Sequence, residues 1–295
     1  MSTHSAEANS SSQVQTQKRR NLFLPVIIIL LGLAVLLYPV IATQWNNATQ
    51  QEAAARYEEF YETLPEEDKA ASLEEAKQYN DNRSQGPILD PWLSRVSEDN
   101  TDYQDYLEVL DASEAMARLV VPSAQVDLPI YHGTSEDTLE QGVGHLYGSD
   151  LPVGGDDTHS VLTAHTGLTN ATLFDNLDDV KVGDAIYVQV SGEVLKYQVF
   201  DTEVVLPEET DGLQPRDNMD MLTLITCTPY GINSHRLLVH AERVPMDEGE
   251  TIEAPGFTWQ WWMVALLAAA LAVLIALICW IARQSRAQRS EIENV

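Results

Sequence analysis

The chain has 295 residues, with 45 Asp and Glu against 17 Lys and Arg and a formal charge of −28. So acidic a balance argues against nucleic acid or anionic lipid headgroups as partners, since both would repel it. All carboxylates except Glu7, Glu291 and Glu293 lie between two apolar stretches, where the simplest reading of them is a solubilising surface.

The first 20 residues are rich in Ser, Gln and Ala and predict a disordered tail. Leu22 to Ala42 is apolar apart from Tyr38, its prolines and its glycine, and follows Lys18, Arg19 and Arg20. As helix it would span about 31 Å, close to the hydrocarbon thickness of a bilayer. It is longer than the apolar region of a signal peptide, which favours an uncleaved anchor over a cleaved leader. Trp261 to Ala282 is a second such run, led by Trp259, Trp261 and Trp262 and followed by Arg283, Arg286 and Arg289. Aromatic belts and basic cytoplasmic flanks mark membrane helices. The expectation is a cell-membrane protein with two helices, at 21–42 and 257–282. The tails at 1–20 and 283–295 are then cytoplasmic, and the stretch between the helices is extracellular.

Within that stretch, Tyr57, Phe60, Tyr61 and Leu64 fall on one face of a helix predicted over Gln50 to Glu62. Thr63 and Glu66 have the spacing of a capping box, which predicts a second acidic helix to about Tyr79. A polar linker, Asn80 to Pro87, leads to Ile88-Leu-Asp-Pro-Trp-Leu93, an aromatic on a proline-stiffened loop that core packing explains poorly. The helical region is taken as 43–115. From Ala117 the texture becomes strand-like: Arg118 to Pro122, Val126 to Tyr131, Ser160 to His165, Asp184 to Val190, Val194 to Val205, Leu222 to Thr226 and Leu237 to Val244. Leu173 to Leu177 predicts a short helical turn, and the prolines place the first two strands at edges. Seven or eight strands with little helix predict a mostly β fold, a small closed or partly open barrel over 116–250.

Cys227 is the only cysteine outside the apolar segments, because Cys279 lies in the second of them. No disulfide can form within the exported region, and a lone thiol in an oxidising place needs a reason. A buried, inert cysteine is the plain alternative. His165 ends an apolar strand at Ala-His-Thr-Gly, where side chains emerge at a barrel rim, and is the leading partner for a thiolate. Arg236 cannot act as a base, but it can donate hydrogen bonds to an oxyanion. Each has a bland reading too: His165 as a hydrogen-bonded structural residue, Arg236 as a surface cation. The other histidines are scattered without zinc-ligand spacing, so no metal is expected. Leu-Pro-Val-Gly-Gly at 151–155 lacks the lysine of a phosphate loop, and no cofactor is expected.

Taken together, these residues resemble the sortases. Thr-Leu-Ile-Thr-Cys at 223–227 matches the family's TLxTC signature, with Arg236 on the next strand and His165 upstream. The likeness is greatest to class C, the pilus-assembling sortases of Gram-positive bacteria. Cys-Thr-Pro-Tyr-Gly-Ile-Asn-Ser-His-Arg-Leu-Leu-Val at 227–239 is similar to their active-site block. So are Gly142 to Gly155 and Leu-Phe-Asp-Asn-Leu at 173–177. The similarity runs from about 85 to 245 and implies a sortase-like closed barrel of about eight strands with an N-terminal helical and lid appendage. It implies a cysteine transpeptidase that cuts an LPXTG-type signal between Thr and Gly and holds the acyl group on Cys227 as a thioester. His165 would be acid and base, and Arg236 the electrophilic stabiliser. The acceptor would be an amine, typically a pilin lysine and possibly lipid II. Partners are therefore LPXTG-bearing pilin or surface proteins. Asp90, Pro91 and Trp92 resemble the class C lid, placed at 85–95, which implies Asp90 on Arg236 and Trp92 over Cys227. Thr166 departs from the arginine that often follows the histidine in class C.

Three alternatives stand beside this reading. A housekeeping-type sortase would attach proteins to a peptidoglycan precursor. A papain-like thiol hydrolase would place its cysteine before its histidine and at the start of a helix. A wall-linked surface protein would carry LPXTG before its tail, where Glu-Ala-Pro-Gly-Phe stands instead, and Leu-Pro-Glu-Glu-Thr-Asp-Gly at 206–212 is only a near miss.

Overall fold

Alternating apolar positions from Ala117 onward wind into eight strands that close on themselves. They are β1 (Ala117–Val121), β2 (Val126–His132), β3 (Val143–His145), β4 (Thr158–Thr163), β5 (Ala185–Val190), β6 (Glu193–Val205), β7 (Asp220–Thr228) and β8 (His235–Val244). A computed structural model describes residues 4–83, 90–92, 100–252, 255–256 and 259–293, with side chains between 23 and 286. The barrel order is β1-β2-β3-β4-β7-β8-β6-β5, and β5 returns to β1. Pairing is antiparallel except for β2 with β3 and β4 with β7, which run parallel.

The period of two sorts each strand between two faces. Leu222 and Leu224 of β7 point into the main core with Leu119, Ile130, Leu162 and Val239. Ile225 points to the opposite face and packs with Leu146, Val161, Leu213, Leu238 and Trp92 in a second, smaller cluster. That outer cluster floors the region where the candidate site lies.

The strand missed by the pattern is β3, three residues around Gly144, too short to show alternation. The edge placement of the first two strands gives way to a ring without edges. Pro129 fits because β2 pairs with β3 only from Ile130 onward, and Pro122 opens a 3-10 turn after β1. The turn expected over Leu173 to Leu177 is present, with the Asp175 amide donating to the Thr172 carbonyl at 2.9 Å and the Leu177 amide to the Phe174 carbonyl at 3.0 Å. It runs on into a 3-10 turn over Leu177–Asp179.

Five helices accompany the barrel among the described residues: α1 (His4–Thr63), α2 (Glu66–Asn82), α3 (Thr101–Glu108), α4 (Glu136–Gln141) and α5 (Trp261–Glu293). In α1 the apolar stretch and the aromatic-faced helix form one element, and it runs back to His4. Residues with good helix propensity extend an existing helix far more readily than they nucleate one. Polar residues that read as a break serve tertiary contacts instead: Asn47 and Thr172 exchange two hydrogen bonds, 2.8 and 3.0 Å. The capping box is not formed. Thr63 donates back to the Phe60 carbonyl at 2.7 Å, and Pro65 stands at the start of α2 without a side-chain cap.

The chain divides into two units, Met1–Ala42 with Trp259–Val295, and Thr43–Thr258. In the first, Phe23, Ile28, Val35, Trp261, Leu271 and Ile278 are exposed. Both helices are long and apolar enough to cross a membrane. The side chains of Lys18, Arg19, Arg20 and Arg289 lie outside the described residues.

In the second unit, helix is fastened to barrel by buried polar contacts. Arg118 of β1 makes a bidentate pair with Asp127 of β2 at 2.7 and 2.8 Å, and also contacts Glu58 of α1. Tyr57 donates to the Met116 carbonyl at 3.0 Å and accepts from the Ser191 amide at 3.0 Å. At the end of α2, Arg83 donates to Asp150 and to the Gly148 carbonyl, both at 2.6 Å. Asn100 caps α3 by accepting from the Tyr103 amide. Arg83 thus ties the chain to the barrel before Asp90, Pro91 and Trp92, and Tyr106 of α3, its hydroxyl 2.9 Å from His145 Nδ1, ties it after them. The remainder of the expected lid, 85–89 and 93–95, lies outside the described residues.

Candidate active site

Strand direction gathers the candidate residues. Because β4 and β7 are parallel, both end at the same rim of the barrel, and antiparallel β8 begins there. Cys227 and Arg236 are direct register partners across β7 and β8. The β4–β7 register pairs Thr163 with Ile225, so His165 and Cys227 each stand two residues further along. Two threonines stitch this end: Thr163 donates to the Ile225 carbonyl at 3.1 Å, and Thr226 to the Ala164 carbonyl at 2.8 Å.

Arg236 is only 8% exposed, and its charge is matched from far along the chain. Its Nε and Nη2 donate to Asp90 at 2.6 and 3.1 Å, and Asp90 is 4% exposed. The same carboxylate accepts from the Trp92 amide at 3.1 Å. The indole lies over the guanidinium, 4.6 Å from its carbon to the ring centroid, and 6.1 Å from the His165 ring. Pro91 accepts from the Thr134 hydroxyl at 3.0 Å. A carboxylate, a proline carbonyl and an aromatic face thus each hold the segment against the barrel.

Cys227 is 8% exposed. Burial pushes its thiol pKa up, Arg236 pulls it down, and Asp90 pushes it up again. Burial lowers the His165 pKa, against the upward pull of Glu136 and Glu140. Both shifts favour neutral forms, a protonated thiol beside an uncharged imidazole. The arrangement has a nucleophile's parts with the thiolate disfavoured.

The loop after His165 rests on a carboxylate that sequence reading passed over within the Leu-Phe-Asp-Asn-Leu motif. Asp175 accepts from the Thr166 hydroxyl at 3.1 Å and from the Gly167 amide at 2.7 Å, while the Phe174 amide donates to the His165 carbonyl at 3.1 Å. Thr166, in place of arginine, is therefore a hydrogen-bonded loop residue, 7% exposed. Burial raises the Asp175 pKa to about 6, only partly offset by these two bonds. A carboxyl whose folded pKa exceeds its unfolded value stabilises below the unfolded pKa and loses that contribution as pH rises through the folded one. Thermal stability is therefore expected to fall from pH 4 to pH 7 by this contribution. Asp175→Asn, which keeps an acceptor oxygen without the charge, should flatten that part of the profile and raise the midpoint at pH 7. An unfolding profile parallel to the parent's would show that Asp175 is not the group responsible.

Other polar groups that sequence reading left scattered prove structural. His159 and His240 both meet the Thr223 hydroxyl, at 2.6 and 2.8 Å, and His240 reaches Glu203 at 3.1 Å. The first threonine of the motif is thus a buried crossing point beneath the outer face. His145 bonds Tyr106 at 2.9 Å and His132 bonds the Val109 carbonyl at 2.7 Å. Among the described residues no group of three or more His, Cys, Asp or Glu could hold a metal ion.

This closed barrel, with a thiol, an imidazole and a guanidinium at one rim, falls in a known class. Residues 119–244 match the sortase domain. The structure of sortase C-1 from Actinomyces oris is 57% identical, covers 60% of this chain and 99% of its own, and superposes with a TM-score of 0.58. Sortase A from Corynebacterium diphtheriae is 52% identical, with 69% and 97% covered and a TM-score of 0.62. Sortase A of Streptococcus agalactiae, a curated relative, is 28% identical over 46% of this chain, and the match spans 55% of that protein's length. The chain belongs to the sortase family, a family of cysteine transpeptidases.

Proposed function

We propose that this chain is a membrane-anchored, class C transpeptidase. It cleaves an LPXTG-type sorting signal between Thr and Gly and passes the acyl group from Cys227 to an amine, that of a pilin lysine. The observation that carries this reading is the pairing of Cys227 with Arg236 at the rim where His165 emerges, together with the Asp90 carboxylate clamped on that arginine. The anchors are the two apolar helices, with both termini cytoplasmic and the barrel outside, as the basic flanks direct.

In this mechanism the Cys227 thiol gives its proton to His165, and the resulting thiolate attacks the threonine carbonyl carbon. Arg236 donates to the oxygen as it gains charge, the kind of interaction that contributes most to acyl transfer. His165 protonates the departing glycine amine, which breaks the C–N bond and leaves a thioester. An incoming amine then attacks, His165 takes its proton, and the electron pair of the C–S bond returns to sulfur. Asp90, Pro91 and Trp92 act as a lid. While Asp90 holds Nε and Nη2 of Arg236, those donors are withheld from any substrate oxygen.

The test uses the full-length protein in detergent micelles, with an LPXTG-type peptide and hydroxylamine. Lid-opened protein, Asp90→Ala with Trp92→Ala, is expected to release a hydroxamate at threonine, identified by mass. Absence of hydroxamate from both the parent and the opened protein would sink the reading.

A further inference from the structure

The side of His165 that faces α4 carries a carboxylate with no part in the steps above. Glu136, the first residue of α4, brings Oε1 to 3.5 Å from His165 Nε2. That is too long for a good hydrogen bond, and Nε2 is a buried atom without a hydrogen-bond partner among the described residues. The Glu136 side chain is 70% exposed and open to an incoming group. Glu140, one turn further along α4, adds negative potential at the same imidazole.

A carboxylate oxygen and a ring nitrogen 3.5 Å apart leave no gap between them, but one cationic nitrogen can touch both from the side once Nε2 is uncovered in the opened site. A nitrogen about 2.8 Å from Oε1 can also stand about 3 Å from Nε2, within hydrogen-bond reach of both. Lysine is an ammonium at neutral pH and strongly hydrated, so it needs a counter-charge to leave water for the rim. Water, the competing acceptor, carries no charge and gains nothing comparable from a carboxylate.

We propose that Glu136 selects the acceptor: it binds the ammonium of the incoming lysine and sets that nitrogen beside His165 Nε2. The inference rests on the acyl-transfer reading. The bound ammonium releases one proton to bulk water, and the amine attacks the thioester carbon. Its second proton passes to His165. As the C–N bond forms, the C–S bond breaks and its electron pair leaves on Cys227, which restores thiolate and imidazolium for the next signal.

The test sets a lysine-bearing peptide against hydroxylamine, which is uncharged at neutral pH, in the full-length lid-opened protein in micelles. Glu136→Gln is expected to lower the ratio of isopeptide product to hydroxamate about tenfold, and Glu136→Asp to recover part of it. Added salt should lower the ratio in the parent and change it little in the Gln variant, since it screens only the charged pairing. If Glu136 merely tuned His165, both products would fall together and the ratio would hold. An unchanged ratio overturns the inference alone. Absence of both products in the lid-opened parent overturns the acyl-transfer reading and this inference with it.

Discussion

Cys227→Ala is expected to yield no hydroxamate, and Arg236→Ala to lose about 10²–10³-fold in kcat/KM, the loss typical of removing one oxyanion donor. Cys227 has no substitute, because the other cysteine, Cys279, belongs to the first unit. Without sulfur there is no acyl carrier, and positioning alone cannot divide the reaction into two steps. Arg236 lies opposite Cys227 in register, and its two donors already grip the oxygens of Asp90. Once that carboxylate moves away, a substrate oxygen can take the place of one of its oxygens. Arg236→Lys should stay well below the parent, since an ammonium offers a point charge instead of a planar fork. Peptide turnover followed by mass or chromatography decides the matter. Product from Cys227→Ala would remove the thioester, and Arg236→Ala within twofold of the parent would remove the oxyanion role.

The second large effect concerns access to the thiol. In a Cys279→Ala background, Asp90→Ala with Trp92→Ala is expected to raise the labelling rate of Cys227 by a thiol reagent at least tenfold. Two contributions act together. Burial and Asp90 push the thiol pKa up and Arg236 pulls it down, so removing the carboxylate leaves Arg236 opposed by burial alone. One unit of pKa is tenfold in thiolate wherever the thiol is mostly protonated. Trp92 adds a steric contribution, for its ring packs on the outer cluster beside Arg236 and His165. The single variants separate the two causes. Asp90→Ala should shift the pH dependence of labelling downward, and Trp92→Ala should raise the rate with a smaller shift. A double variant that labels at the parental rate would leave the segment no role as a lid.

Much of the barrel was legible because its strands alternate over five residues or more, as in 194–205 and 237–244. β3 was not, since three residues around a glycine carry no periodicity. Two local signals misled. Thr63 has the spacing of a cap, but its hydroxyl finds the Phe60 carbonyl within its own helix. The polar residues after Ala42 read as a break, although an Asn within a helix can point at a partner such as Thr172. Among the candidate residues, Cys227, His165 and Arg236 stood out by type and by their place at strand ends. Glu136 and Asp175 did not, because an acid in so acidic a chain is unremarkable until its neighbours are known.

The sequence by itself determined a lone thiol between two apolar segments, a run of alternating strands, and the kinds of side chain available for acyl transfer. It did so because hydropathy period, residue type and segment length are local properties. Only the tertiary structure decided which groups meet. Parallel pairing of β4 with β7 and antiparallel pairing of β7 with β8 bring His165, Cys227 and Arg236 to one rim. Ring closure and the seating of α2 and α3 bring Asp90 to Arg236 across 146 positions. Register and long-range ion pairing depend on how strands align, and the sequence within a single strand leaves that alignment open.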